Sequence, residues 1–113
     1  RTAQAIRAAL GKLGLSLFTN KFYLADTLSV VNYPPGVEDH QFRQKLNQKG
    51  VVVAGGLGPL AGKVFRMGHM GNLSTAQVYF ALQALENTLA ETGYKFERGA
   101  SLKAARSILE AKD

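Results

Sequence analysis

The sequence predicts an α+β domain of two layers, a small, mainly antiparallel sheet with helices on one face. Three observations carry this. Helix-like and strand-like stretches alternate along the chain. The two best strand candidates, residues 51–54 and 63–67, flank a short loop and can close as a hairpin without a crossover connection. The length, 113 residues, suits one domain around a single core, so the helices and the sheet should share it. A sheet covered by helices on one side leaves its other face for water or a partner.

The elements follow in order. Residues 3–15 read as a helix, because Ile6, Leu10 and Leu13 recur at helical spacing beside the small Ala5 and Ala9, and Gly14 is a plausible stop. Residues 15–18 are a short apolar run that could form a strand. Residues 28–33 are β-branched and aromatic and read as a strand, closed by Pro34-Pro35-Gly36. Residues 38–49 read as a helix with Phe42 and Leu46 on one face, Asp39 as a candidate cap and Gly50 after its end. The apolar strand 51–54, a glycine-rich loop over 55–62 and the strand 63–67 come next. Residues 74–92 form the clearest helix. Ser74 and Gln77 make a capping box, Val78, Leu82, Leu85 and Leu89 make the buried stripe, and Gly93 ends it. A last helix is expected over 101–112, with Ser101 as its cap and Leu102, Ala105, Ile108 and Leu109 on one side.

Composition narrows the function classes. Hydrophobic residues are 46% and charged residues 19%, which is ordinary for a globular domain. No apolar run is long enough to span a bilayer, so no membrane partner is expected. Cysteine is absent, which removes disulfides, thiolate metal sites and cysteine nucleophiles and fits an intracellular protein. The C-terminal Ala111-Lys112-Asp113 is not a peroxisomal signal of the S-K-L kind, and cytoplasm, mitochondrion and peroxisome are not distinguished. The net charge of +6 invites a nucleic-acid partner, but the basic residues are spread from Arg1 to Lys112 without runs or interleaved aromatics, and none is expected. The start, Arg1-Thr2-Ala3-Gln4, fits a piece of something longer.

Residues 51–71, VVVAGGLGPLAGKVFRMGHMG, hold more glycine than a plain core element needs. They make either a tight hairpin with permissive turns or a loop lining a binding site. A nucleotide cradle is rejected. Gly56-Leu57-Gly58 begins like a dinucleotide fingerprint, but the third glycine is misplaced, Pro59 has no amide proton, and a strand follows where a helix is required. In the strand 63–67, Phe65 and Met67 should face the helices, and Val64 and Arg66 the uncovered side. Arg66 is then either a solvated surface arginine or a guanidinium fork presented to an anion. His40 and His69 lie too far apart, without cysteine or a carboxylate pattern, to suggest a metal site. Nothing supports His69 as a base. Tyr33, Tyr79 and Tyr94 read as packing residues with a polar tip.

The A-G-G-L-G-P-L-A-G-K-V-F-R-M-G segment, followed by the capped S-T-A-Q-V helix, resembles the C-terminal small domain of class V, fold-type I aminotransferases. It is most similar to the alanine–glyoxylate and serine–pyruvate types. The opening helix and the strand ending in Pro-Gly fit the same place, so the resemblance covers residues 1–94. It implies that residues 1–113 are one small domain of a longer enzyme that uses pyridoxal 5′-phosphate. It implies that Arg66 binds the carboxylate of an amino-acid substrate, and that Gly55, Gly56 and Gly58 lie near the site. It implies small amino-acid and 2-oxo-acid substrates, packing against the enzyme's own large domain, and a homodimer. The lysine that carries the cofactor lies upstream in that family, and none of the eight lysines here has its context. The fragment is therefore expected to hold no catalytic residue and to be inactive alone. Two alternatives stand beside a transaminase that moves an amino group from alanine or serine to glyoxylate: a stand-alone, non-catalytic α+β module, or another class V enzyme.

Overall fold

The computed structural model describes residues 2–18, 28–68 and 74–111. Helix α1 (Thr2–Lys12) buries Ala5, Ile6, Ala9 and Leu10, and Leu13 just beyond it is buried as well. Gly14 follows with φ of 75°, a conformation that only glycine adopts readily, and turns the chain back toward the sheet. Residues 15–18 run antiparallel beside β1 (Leu28–Asn32) as an isolated bridge, Leu17 opposite Val31, with no extended strand. At the other edge of β1 lies β3 (Val64–Gly68), and beyond it β2 (Ala54–Gly55). All pairings are antiparallel, in the order β1-β3-β2, so the predicted α+β sheet and its β2–β3 hairpin are present.

The second strand is shorter than the apolar run 51–54 suggested. The reason is the end of α2 (Asp39–Gln48): the Val51 amide donates to the Leu46 carbonyl at 3.0 Å, so the chain is still closing the helix where a ladder was expected. The start of α2 is corrected too. Glu38, one residue ahead of the expected Asp39, caps it by accepting from the His40 and Gln41 amides, and those bonds hold the Glu38 carboxyl below its ordinary pKa.

On the helix side of the sheet, Val31, Phe65 and Met67 join one core with Phe42 and Leu46 of α2. Tyr33, Phe42 and Phe65 meet there with ring centroids 4.9–5.4 Å apart. Helix α3 (Thr75–Glu91) contributes the expected Val78, Leu82, Leu85 and Leu89, and both halves of the Ser74–Gln77 capping box are formed. Helix α4 (Ala100–Leu109) packs chiefly on α1, where the fully buried Ala105, Ala5 and Ala9 permit a close approach. Its cap is Gly99, not Ser101. Ser101 lies inside the helix and donates its hydroxyl to Glu86, a carboxylate only 1% exposed, which also accepts from the Gly99 amide at 2.9 Å. The three tyrosines behave as expected, donating to Asp39, Glu110 and the Leu13 carbonyl respectively.

Candidate functional site

Strand β3 is the centre of the sheet, and its register sets the site. Arg66 lies opposite Val30 on one side and Ala54 on the other, so these three share a face, away from the one that carries Phe65 and Met67. The expectation that this face is open holds only in part. Val64 is fully buried there, because the glycine loop folds back over it. That loop forms a single 3-10 turn, Gly58–Leu60, with the Leu60, Ala61 and Lys63 amides bonded to the carbonyls of Leu57, Gly58 and Leu60. These donors are spent inside the turn, which leaves them unable to cradle a phosphate.

Gly56 is what allows the fold-back. A Cβ placed there would lie 2.3 Å from the Leu60 carbonyl oxygen and 2.8 Å from a Val64 methyl. Gly56→Ala is therefore expected to lower stability by roughly 2–4 kcal/mol, as an unrelieved clash in a packed site. Gly58 has open space around its missing Cβ and suffers only from its φ of 55°, so Gly58→Ala should cost about 1 kcal/mol. Urea unfolding midpoints of the two variants check the order; equal losses would contradict it.

Arg66 is partly buried. Its Nε donates to the Gly55 carbonyl oxygen at 2.8 Å, across the edge of the hairpin. No carboxylate among the described residues pairs with it, and its two terminal nitrogens make no hydrogen bond to any of them. Three other arginines meet a carboxylate: Arg43 the partly buried Asp39, Arg98 the buried Glu86, and Arg106 the exposed Glu110. Among the described residues, Arg66 thus has its Nε held by a neutral group and its two terminal nitrogens unpaired, an arrangement suited to two-point contact with a carboxylate. Gly55 ends β2, and Gly56 and Gly58 belong to the loop that follows it. His69 lies outside the described residues, and His40 is exposed on α2. Among the described residues no group of His, Asp or Glu could hold a metal ion.

Asp39, whose sequence position suggests only a helix cap, also borders this region. Asp39 accepts from the Tyr33 hydroxyl at 2.6 Å and from Arg43 in two-point contact at 3.1 and 2.9 Å. Burial pushes the Asp39 carboxyl up, but the bonds from Arg43 and Tyr33 outweigh it and hold the group below the usual aspartate range. Burial, and then the Asp39 bond, push the Tyr33 phenol up.

The described lysines give no seat for a pyridoxal phosphate. Lys45 and Lys49 reach Glu91 at the surface, and Lys12, Lys63, Lys95 and Lys103 are exposed. An apolar cleft of about 440 Å³ between residues 50–53 and the start of α3 is lined by Val52, Met67 and Phe80, with no cation for a phosphate among its described lining residues.

No family model matches the chain. Individual relatives do. An uncharacterized aminotransferase of Methanocaldococcus jannaschii is 38% identical over 96% of this chain and 28% of its own length. The serine–glyoxylate aminotransferase of Arabidopsis thaliana is 32% identical over 97% of this chain and 28% of its length. A Synechococcus protein named as the small subunit of a soluble hydrogenase is 36% identical over 96% of this chain and 29% of its length. The crystal structure of the ureidoglycine–glyoxylate aminotransferase of Bacillus subtilis superposes with a TM-score of 0.88 at 30% identity, over 97% of this chain and 29% of that one. The chain thus spans under a third of each of these relatives. Sequence and fold together place it, over nearly all of its length, as the counterpart of one domain-sized part of a class V aminotransferase.

Proposed function

We propose that this chain is the C-terminal small domain of a pyridoxal-phosphate-dependent transaminase that transfers an amino group from alanine or serine to glyoxylate, and that Arg66 binds the substrate carboxylate. One observation carries the reading: Arg66 is anchored through Nε to a backbone carbonyl, while the rest of its guanidinium has no partner among the described residues. A partly buried arginine left open in this way suits a small anion, and amino acids and 2-oxo acids share a carboxylate. The relatives, a serine–glyoxylate and a ureidoglycine–glyoxylate aminotransferase among them, support glyoxylate as acceptor.

On this reading residues 1–113 are a single domain, and a large domain elsewhere in the polypeptide holds the cofactor. Gly58, with open space around it, gives that domain and the substrate a close approach to the hairpin, while Gly55 and Gly56 pack against this chain's own Arg43, Leu60 and Val64 beside the site. The working enzyme is a homodimer inside the cell. This chain alone contributes substrate binding and orientation without proton transfer, and is inactive by itself. The test is Arg66→Lys in the full-length enzyme, assayed with alanine and with an amine donor that has no carboxylate. Selective loss with alanine is expected, and unchanged alanine kinetics would remove Arg66 from the site.

A further inference from the structure

What aims Arg66 is the Gly55 carbonyl, and Gly55 lies on the edge strand β2, paired only with Phe65 of β3. An edge strand of two residues is a weak support for an anchor. The opposite side of Gly55 shows what holds it. A Cβ built on Gly55 would lie 3.2 Å from the central carbon of the Arg43 guanidinium and 3.3–3.4 Å from two of its nitrogens. The flat guanidinium therefore rests directly on Gly55, in the space a side chain would fill. Arg43 is in turn held by Asp39 in two-point contact, and Asp39 takes a third bond from Tyr33. Tyr33 is packed edge-on against the core ring of Phe42. The contacts run without a gap from the core to Arg66, and the two arginines lie on opposite faces of the same glycine.

From this we propose that Arg43 is a positioning residue: it holds the Gly55 peptide so that the carbonyl fixes the Arg66 guanidinium at the angle that substrate carboxylate requires. The inference rests on the reading of Arg66 given above. It gives glycine at position 55 a role although no positive φ demands it there: a Cβ would push the Arg43 guanidinium back by a few tenths of an ångström. It also makes the geometry of the guanidinium matter more than its charge. Lysine at position 43 would keep a cation beside Asp39 but has no flat face to lay on the peptide.

The experiment uses the full-length enzyme with Arg43→Ala, Arg43→Lys and Gly55→Ala, beside Arg66→Lys. Gly55→Ala disturbs the stack without removing either arginine or Asp39, so it serves if an Arg43 variant fails to fold. KM for alanine is expected to rise about tenfold in all three, lysine giving no rescue, while KM for a carboxylate-free amine stays within about twofold. In a ¹⁵N-arginine-labelled sample, the Arg66 Nε proton should exchange with solvent about tenfold faster once Arg43 is changed. Rescue by lysine would reduce Arg43 to an ion-pair partner and overturn the proposal. An equal rise for both donors would mean general damage and would also overturn it. Alanine kinetics sensitive to Arg66→Lys but indifferent to Arg43→Ala and Gly55→Ala, with proton exchange unchanged, would sink this inference alone. Indifference to Arg66→Lys itself would sink the functional reading and this one with it.

Discussion

Arg66→Lys in the full-length enzyme is expected to raise KM for alanine by roughly 10- to 100-fold, the equivalent of losing one charge-assisted pair of about 1.5–3 kcal/mol. Lysine keeps the charge, so a smaller effect would be the naive expectation. Two features enlarge it. The fork that meets a carboxylate at two points becomes a single ammonium that cannot copy that geometry. The bond from Nε to the Gly55 carbonyl also disappears, so the new cation has no fixed direction. Turnover should fall as well, because a substrate held at one point samples unproductive angles. A donor amine without a carboxylate never used the fork and should react as before. Steady-state kinetics with both donors check this, and equal losses for the two would point away from substrate binding.

Glu86→Ala is expected to cost roughly 3–5 kcal/mol of stability, the range seen when one member of a buried ionic network is removed. Glu86 is 1% exposed and takes up the Gly99 amide and the Ser101 hydroxyl, with the Arg98 Nε 3.9 Å away. Without it, the Gly99 amide at the cap of α4 and a buried hydroxyl lose their acceptor, and a cavity opens beneath them. Glu86→Gln keeps the shape and one acceptor oxygen and should lose less, about 1–2 kcal/mol. Urea denaturation read by circular dichroism measures both. An alanine variant within about 0.5 kcal/mol of the parent would show that the network carries no stability.

Those two residues mark the limits of sequence reading. The stripe Val78, Leu82, Leu85 and Leu89 and the box of Ser74 with Gln77 were legible because both are local: helical periodicity and a three-residue spacing define them. The same periodicity gives no hint that Glu86 turns inward. Its partners are 13 and 15 residues away, and its burial depends on where α4 docks. Taking Ser101 for a cap failed for the same reason. Asp39 was mistaken for the cap of α2 because Glu38 and Asp39 are both acidic, and only the backbone decides which one lies outside the helix. The strand parity of Arg66 against Phe65 and Met67 was correct, since alternation is set by the pleat. Neither the Gly55 carbonyl under Arg66 nor the Arg43 guanidinium on the other side could be inferred, because both depend on how β2 and α2 come together.

The packing of α4 on α1 has a consequence for how the molecule is made. During synthesis α1 leaves the ribosome well before the helix that covers its alanine stripe, which comes about ninety residues later. Until then Ala5 and Ala9 face water or whatever else is near, and the earlier elements must hold their arrangement without that lid. Of the four helices described, the last to emerge is therefore the one that seals the first.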